Sequence, residues 1–270
     1  MISGIFHQGS GLGDQLMRYI TVRTLAEEKG FEWSMVGRKN FKGAFFVGLN
    51  FGKEPPKIGV HYYNPTLNTF GGNLPIEPEI YFSNFIEKDI RDEFGNDIRS
   101  YDPEINFIED NTLIDGCFED EKYWGHNLGN IRKWLGVEPL EMPDDLCVIG
   151  FRGGEYATVL DLFLPKEYWD EARKLMIQRH PGMRFEVHTD DPEMAKKFFP
   201  IFPIVQGIDV NWRSVRYAKH LIISNSAFYI IPSLIGEAQD IIAPRYWARR
   251  NTKKWARPAC YYKDKRITYI

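Results

Sequence analysis

Short apolar runs alternate with longer amphipathic ones along most of this chain. Residues 2–6 predict a strand, and the glycine-rich stretch His7-Gln8-Gly9-Ser10-Gly11-Leu12-Gly13-Asp14-Gln15 predicts a turn leading into a helix. The apolar positions Leu16, Ile20, Val22, Leu25 and Ala26 predict that helix, which ends at Lys29-Gly30. Residues 31–36 resume as a strand, so the chain opens on a strand–helix–strand unit suited to a parallel sheet. Residues 38–73, rich in Gly, Asn, Pro and aromatics, predict long irregular connections. A polar helix is expected over 85–94, a strand over 113–118 and a helix over 126–135; the segment 139–143, with a proline at each end, predicts a boundary between domains 1–143 and 144–270. Beyond it the pattern predicts strands at 146–151, 185–188, 201–205, 221–223 and 240–244, separated by helices at 166–179, 193–199 and 212–218, with a further helix after Ser226.

Composition places the chain among ordinary globular proteins: 270 residues, 43% hydrophobic and 26% charged, enough for one large domain or two moderate ones. The net charge of −3 gives no electrostatic case for nucleic acid. The charge is uneven, with fifteen acidic against three basic residues over 77–121 and nine basic against one acidic over 245–266, so the basic aromatic C-terminal segment is a candidate support for an anionic ligand. Cys117, Cys147 and Cys260 have neither metal-ligand spacing nor a disulfide framework. The absence of a secretory pattern and of a membrane-length apolar run leads to the expectation of a cytoplasmic protein of bacterial or viral source.

The candidate chemistry sits where predicted strands end. After the apolar run at 146–151 come Arg152, Gly153, Gly154 and Glu155, a guanidinium beside two glycines whose N–H groups can approach a phosphate closely. The strand at 185–188 runs into Thr189-Asp190-Asp191-Pro192, where Asp191 also suits a helix N-cap. The strand at 221–223 runs into Ser224-Asn225-Ser226, small polar residues before a helix that fit either phosphate contacts or capping. The Gly9–Gly13 loop is neither a dinucleotide fingerprint nor a P-loop.

Six fragments in one order resemble the α-1,2-fucosyltransferases of glycosyltransferase family 11 and, more distantly, the wider fucosyltransferase clan. They are Gly9-Ser10-Gly11-Leu12-Gly13-Asp14-Gln15-Leu16, Cys117-Phe118-Glu119-Asp120-Glu121-Lys122-Tyr123-Trp124, Gly150-Phe151-Arg152-Gly153-Gly154-Glu155-Tyr156, His188-Thr189-Asp190-Asp191, Ser224-Asn225-Ser226-Ala227-Phe228 and Ile242-Ala243-Pro244-Arg245-Tyr246-Trp247. The resemblance implies an α/β fold of GT-B type, two Rossmann-like domains facing a cleft. It also implies an inverting transferase that needs no metal and no cofactor, moving a sugar, by default fucose from GDP-fucose, onto a saccharide hydroxyl. The chain departs from the family at Gly150 and Gly153, where the family has His and a second Arg, and at Asp14, where it has Asn. Another donor, such as a UDP-pentose, and a sugar-nucleotide binding protein without turnover therefore stand as alternatives. A different Rossmann-type enzyme, an epimerase or a methyltransferase, is disfavoured by the lack of a full Gly-x-Gly-x-x-Gly.

The expectations are then specific. Arg152 stabilises the leaving diphosphate; Asp14, with Glu155 as rival, takes the acceptor proton. Gly11, Gly13 and Gln15 shape the donor edge, Gly154, Ser224, Asn225 and Ser226 hold the diphosphate, and Asp190 reads the base. The aromatic loops within 38–73 receive the glycan acceptor.

Overall fold

The computed structural model describes residues 1–54, 61–62, 74–75, 83–88, 101–159, 162–246 and 263–270. Trp247, Trp255 and Tyr261 of the basic segment, and much of the aromatic stretch before residue 73, lie outside the described residues. Among the described residues, those up to Gly136 form one compact unit and those from Val137 onward a second.

The first unit runs β1 (Ile2–Ile5), α1 (Leu12–Lys29), β2 (Trp33–Val36), β3 (His61–Tyr62), β4 (Leu74–Pro75), β5 (Ser83–Ile86), β6 (Thr112–Asp115) and α2 (Leu128–Trp134). Its main sheet has the order β2-β1-β6-β5 with every pairing parallel, while β3 and β4 pair antiparallel. Helix α1 starts at Leu12, four residues before the apolar periodicity begins, so Gly13, Asp14 and Gln15 belong to its first turn rather than to the loop. It stops where Gly30 takes a left-handed conformation (φ 67°) and returns its N–H to the Ala26 carbonyl.

The expected polar helix at 85–94 is corrected over its described part, where β5 lies against β6 in register Ser83↔Thr112 to Ile86↔Asp115. Strand β5 spans only Ser83–Ile86, two polar residues followed by two apolar ones, so it carries no alternation of its own. Helix 126–135 is also shortened: Gly125–Asn127 is a 3-10 turn and the α-helix begins at Leu128.

The second unit runs β7 (Leu146–Phe151), α3 (Lys166–Arg179), β8 (Arg184–Thr189), α4 (Pro192–Phe198), β9 (Ile204–Gln206), α5 (Ile208–Tyr217), β10 (His220–Ile223), α6 (Ala227–Ile235), β11 (Asp240–Ala243) and β12 (Ile267–Tyr269). Its six strands are all parallel in the order β12-β11-β10-β7-β8-β9. Strand β7 is buried along its whole length, as expected of an unbroken apolar run in the middle of a parallel sheet. The buried side of α3, with Tyr168, Trp169, Ala172 and Met176, closes one face, and the Trp169 ring lies 5.3 Å from Phe151 and 5.6 Å from Phe199. From β7 the chain moves outward to β8 and β9, then returns to the other side of β7 for β10 and moves outward again. The order therefore reverses between β7 and β10, the place where open α/β sheets leave a crevice beyond their carboxyl ends.

Strand β12 was not anticipated. It joins the sheet edge through Ile241↔Ile267 to Ala243↔Tyr269, and Arg266 just before it donates to the carbonyls of Leu234 (2.8 Å), Gly236 (3.3 Å) and Ala238 (3.0 Å). Among the described residues no helix is long and apolar enough to cross a membrane. Arg266→Ala removes the bonds to three carbonyls at and just beyond the end of α6 and should lower unfolding free energy by about 2–3 kcal/mol; urea unfolding followed by circular dichroism measures it, and an unchanged midpoint would show that β12 is held without this clamp.

Candidate functional site

The strongest candidate lies at the carboxyl ends of β7, β8 and β10 in the second unit. The β7–β10 pairing continues past the end of β10 through the Ser224 N–H donating to the Gly150 carbonyl at 3.0 Å, so the Arg152 loop and the Ser224-Asn225-Ser226 stretch leave the sheet side by side. One terminal nitrogen of Arg152 is hydrogen-bonded to Asp190 Oδ2, and the other donates to Glu155 Oε1 at 3.0 Å. The other oxygen of Asp190 accepts the Gly153 N–H at 3.0 Å. The guanidinium also stands 5.2 Å from the centre of the Tyr156 ring. Its side chain is 26% exposed, and burial, which would lower its pKa, is more than offset by the carboxylates around it, Asp190 foremost.

Beside it Ser224 is 1% exposed, and its hydroxyl has no hydrogen-bond partner among the described residues. An orphaned buried hydroxyl costs free energy unless something else satisfies it. Ser226 takes the N-cap position of α6 but makes no side-chain cap, so capping does not account for this Ser-Asn-Ser run. Asn225 is buried and donates its amide to the Leu162 carbonyl at 3.0 Å. Asp191, by contrast, does cap α4, accepting the Met194 N–H at 3.0 Å.

The two glycines that set the chain apart from the family it resembles have steric causes. A Cβ at Gly150 would stand 2.7 Å from the ring of Tyr229, whose hydroxyl bonds the carbonyls of Phe151 (3.2 Å) and His188 (2.9 Å) and ties the ends of β7 and β8 together. Burial pushes the pKa of that phenol up, keeping it a donor. A Cβ at Gly153 would meet the Cβ of Asp191 at 2.5 Å. Gly154, at φ 41°, lies against Asp190, and a Cβ there would be 2.4 Å from Oδ2.

The first unit gathers its own polar groups at the carboxyl ends of β1, β5 and β6. Gly11 is the N-cap of α1 without a side-chain bond, Gly13 is buried, and Asp14 is the acidic residue of the first turn, where the helix dipole favours a negative charge. Gln15 is fully buried; it donates to the Asn40 carbonyl at 2.8 Å and accepts the Lys42 N–H at 3.0 Å, so its amide fastens the loop after β2.

Sequence reasoning missed the buried groups beneath that loop. His7 Nε2 lies 2.8 Å from Asp115 Oδ2, and Arg18 Nε lies 3.6 Å from Asp115 Oδ1 while donating to the Gly116 carbonyl at 2.7 Å. A terminal nitrogen of Arg18 also reaches Ser10 Oγ at 3.1 Å. The available signal was Arg18 itself, a charge among the apolar positions of α1. Glu87, 5% exposed, was missed as well; its Oε2 accepts the N–H groups of Cys117 (2.6 Å) and Phe118 (3.0 Å) and so braces the turn after β6, where Phe118 takes φ 50°. Burial pushes the Glu87 carboxyl up to about 7 in spite of those donors. Among the described residues no group of three or more His, Cys, Asp or Glu side chains is placed to hold a metal ion.

No protein-family model matches the chain, and no curated protein matches it in sequence. Solved structures do. A point mutant of Arabidopsis thaliana FUT1 in complex with GDP superposes with a TM-score of 0.51 at 10% identity, over 93% of this chain and 71% of that one. The fold is of the GT-B type. Two further GT-B neighbours, E. coli heptosyltransferase WaaC with ADP (TM-score 0.47, 13% identity, covering 100% of this chain and 92% of that one) and Bradyrhizobium fucosyltransferase NodZ (0.46, 13%, 88% and 93%), match more loosely. In GT-B terms the two units are its two Rossmann-like domains, as the resemblance implied. At these identities the likeness speaks for the fold alone.

The Glu87 environment makes a pH prediction. Its pKa stands at about 7 in the folded chain against 4.5 for an ordinary glutamate, so its share of stability is fully present below about pH 4.5 and is lost as pH rises through about 7. That share is about 3 kcal/mol. Subtracting the unfolding free energy of Glu87→Gln from that of the parent between pH 4.5 and 8 isolates it; parallel curves would show an ordinary carboxyl.

Proposed function

We propose that this chain is an inverting, metal-independent glycosyltransferase that takes a sugar from a nucleoside diphosphate and places it on a saccharide hydroxyl, with GDP-fucose the default donor. One observation carries the reading. At the point where the strand order of the second unit reverses, a guanidinium, a buried serine hydroxyl without a partner and a helix N-terminus without a side-chain cap stand together. Each favours a phosphate oxygen, and the guanidinium and helix end favour its charge.

In this reading the acceptor oxygen attacks the anomeric carbon on the face opposite the diphosphate, and the carbon–oxygen bond to the β-phosphate breaks. The charge released onto the diphosphate is met by Arg152, the α6 N-terminus and Ser224, with Asn225 and Ser226 completing the cradle and Gly154 letting the backbone approach. The acceptor proton goes to Asp14 in the first turn of α1, with Glu155 as the rival base. Gly11 at the N-cap of α1 and Gly13 and Gln15 in its first turn shape the donor edge. Because both oxygens of Asp190 are engaged by Arg152 and Gly153, we assign it to holding the guanidinium in place of the base-reading role implied by the resemblance.

The crowding at Gly153 favours a second reading in one respect, since with one guanidinium the site could bind a sugar nucleotide without turning it over. Two measurements decide. In a thermal-shift panel of GDP, UDP, CDP and TDP, with and without magnesium, GDP should stabilise without metal, by about 2.7 kcal/mol at a hundred times its dissociation constant. Stabilisation by UDP instead would keep the site and change the donor, and no shift with any would remove the reading. Arg152→Ala should lower transfer from the sugar nucleotide by roughly a hundredfold or more with the fold intact; retained turnover would take the role from Arg152, and binding without turnover in the parent would leave the non-catalytic reading.

A further inference from the structure

The two carboxylates on Arg152 are held very differently. Asp190 is anchored twice, by the guanidinium and by the Gly153 N–H, lies close against Gly154, and its side chain is 32% exposed. Glu155 reaches Arg152 from the next turn of chain, the 3-10 stretch Gly154–Thr158, through a contact of 3.0 Å, and its side chain is 64% exposed. Between them they occupy both terminal nitrogens of the guanidinium. Each carboxylate takes one N–H of its nitrogen, so a diphosphate that binds the guanidinium through both terminal nitrogens meets a carboxylate at each, and the exposed one is the cheaper to displace because water receives it at little cost.

We propose that Glu155 is a stand-in anion for the diphosphate. In the ligand-free protein it fills the place on Arg152 that a β-phosphate takes, and it swings into solvent when the nucleotide binds, while Asp190 stays and keeps the guanidinium aimed. The inference rests on the reading of this site as a nucleoside diphosphate site. Its functional consequence falls on the far side of the reaction: once the sugar has left, Glu155 competes with the product diphosphate for Arg152 and hastens its release.

Isothermal titration of GDP and UDP into the parent chain, Glu155→Gln, Glu155→Ala and Asp190→Asn, at low and at high salt, tests it. Both Glu155 variants should bind the nucleotide about two- to fivefold more tightly at low salt, because the exposed ion pair with Arg152 no longer has to be broken before the anion binds. The gain should shrink at high salt. Agreement between the two variants separates loss of the charge from a new bond made by the glutamine amide, and Asp190→Asn should weaken binding. If the parent binds nucleotide and both Glu155 variants bind equally or more weakly, the stand-in role is overturned while the site stands. If neither the parent nor the variants bind any nucleoside diphosphate, the reading of the site falls and the inference with it.

Discussion

The second unit depends on the parallel pairing of β7 with β10, extended one step beyond the end of β10 by the Ser224 N–H on the Gly150 carbonyl. These two strands are neighbours in space and some seventy residues apart in sequence, and the chain departs from them in opposite directions across the sheet. Their loops must diverge, and polar groups can stand between the diverging ends without being covered by a crossover. Arg152 and Ser224 are the residues that the geometry leaves there. Tyr229 then sets how closely the neighbouring strand ends approach, since its hydroxyl bonds the carbonyl of Phe151, the last residue of β7, and that of His188, next to last in β8, and its ring fills the space a side chain at 150 would need.

The first unit solves a related problem with charge rather than with an aromatic. The buried set of His7, Asp115 and Arg18 ties the unit's glycine loop to the turn after β6 through Ser10 and the Gly116 carbonyl. Burying such groups is costly unless each is paired, so the set favours one arrangement of the loop over its alternatives. Glu87 braces the same turn from the neighbouring strand, at the expense of a carboxyl that resists ionisation.

Most of the second unit could be read from its residues because its central strand is an unbroken apolar run and its ligand-type side chains follow directly at the strand ends. Arg152, Asp190 and the Ser224-Asn225-Ser226 stretch are visible in that way. What stayed hidden depends on residues distant in sequence. Strand β5 gains its conformation from β6, nearly thirty residues later, and its four residues carry no alternation of their own. Strand β12 is held by a clamp from Arg266 onto α6. Neither the steric reason for Gly150 nor the brace from Glu87 has any local pattern, because a contact across the sheet leaves no periodicity behind. Even Asp191, which suited both a cap and a ligand role, was decided only by where its oxygen points.

The crowding at Gly153 has a historical consequence. The atom that blocks a side chain there is the Cβ of Asp191, the residue that starts α4. An ancestor with arginine at 153 would have had to arrange the α4 entry differently, and a descendant cannot recover that arginine by a single exchange without disturbing the cap that begins the helix. Position 153 is thus locked by its neighbour: the charge around Arg152 can change step by step through exposed positions such as Glu155 far more readily than a side chain can be added at 153.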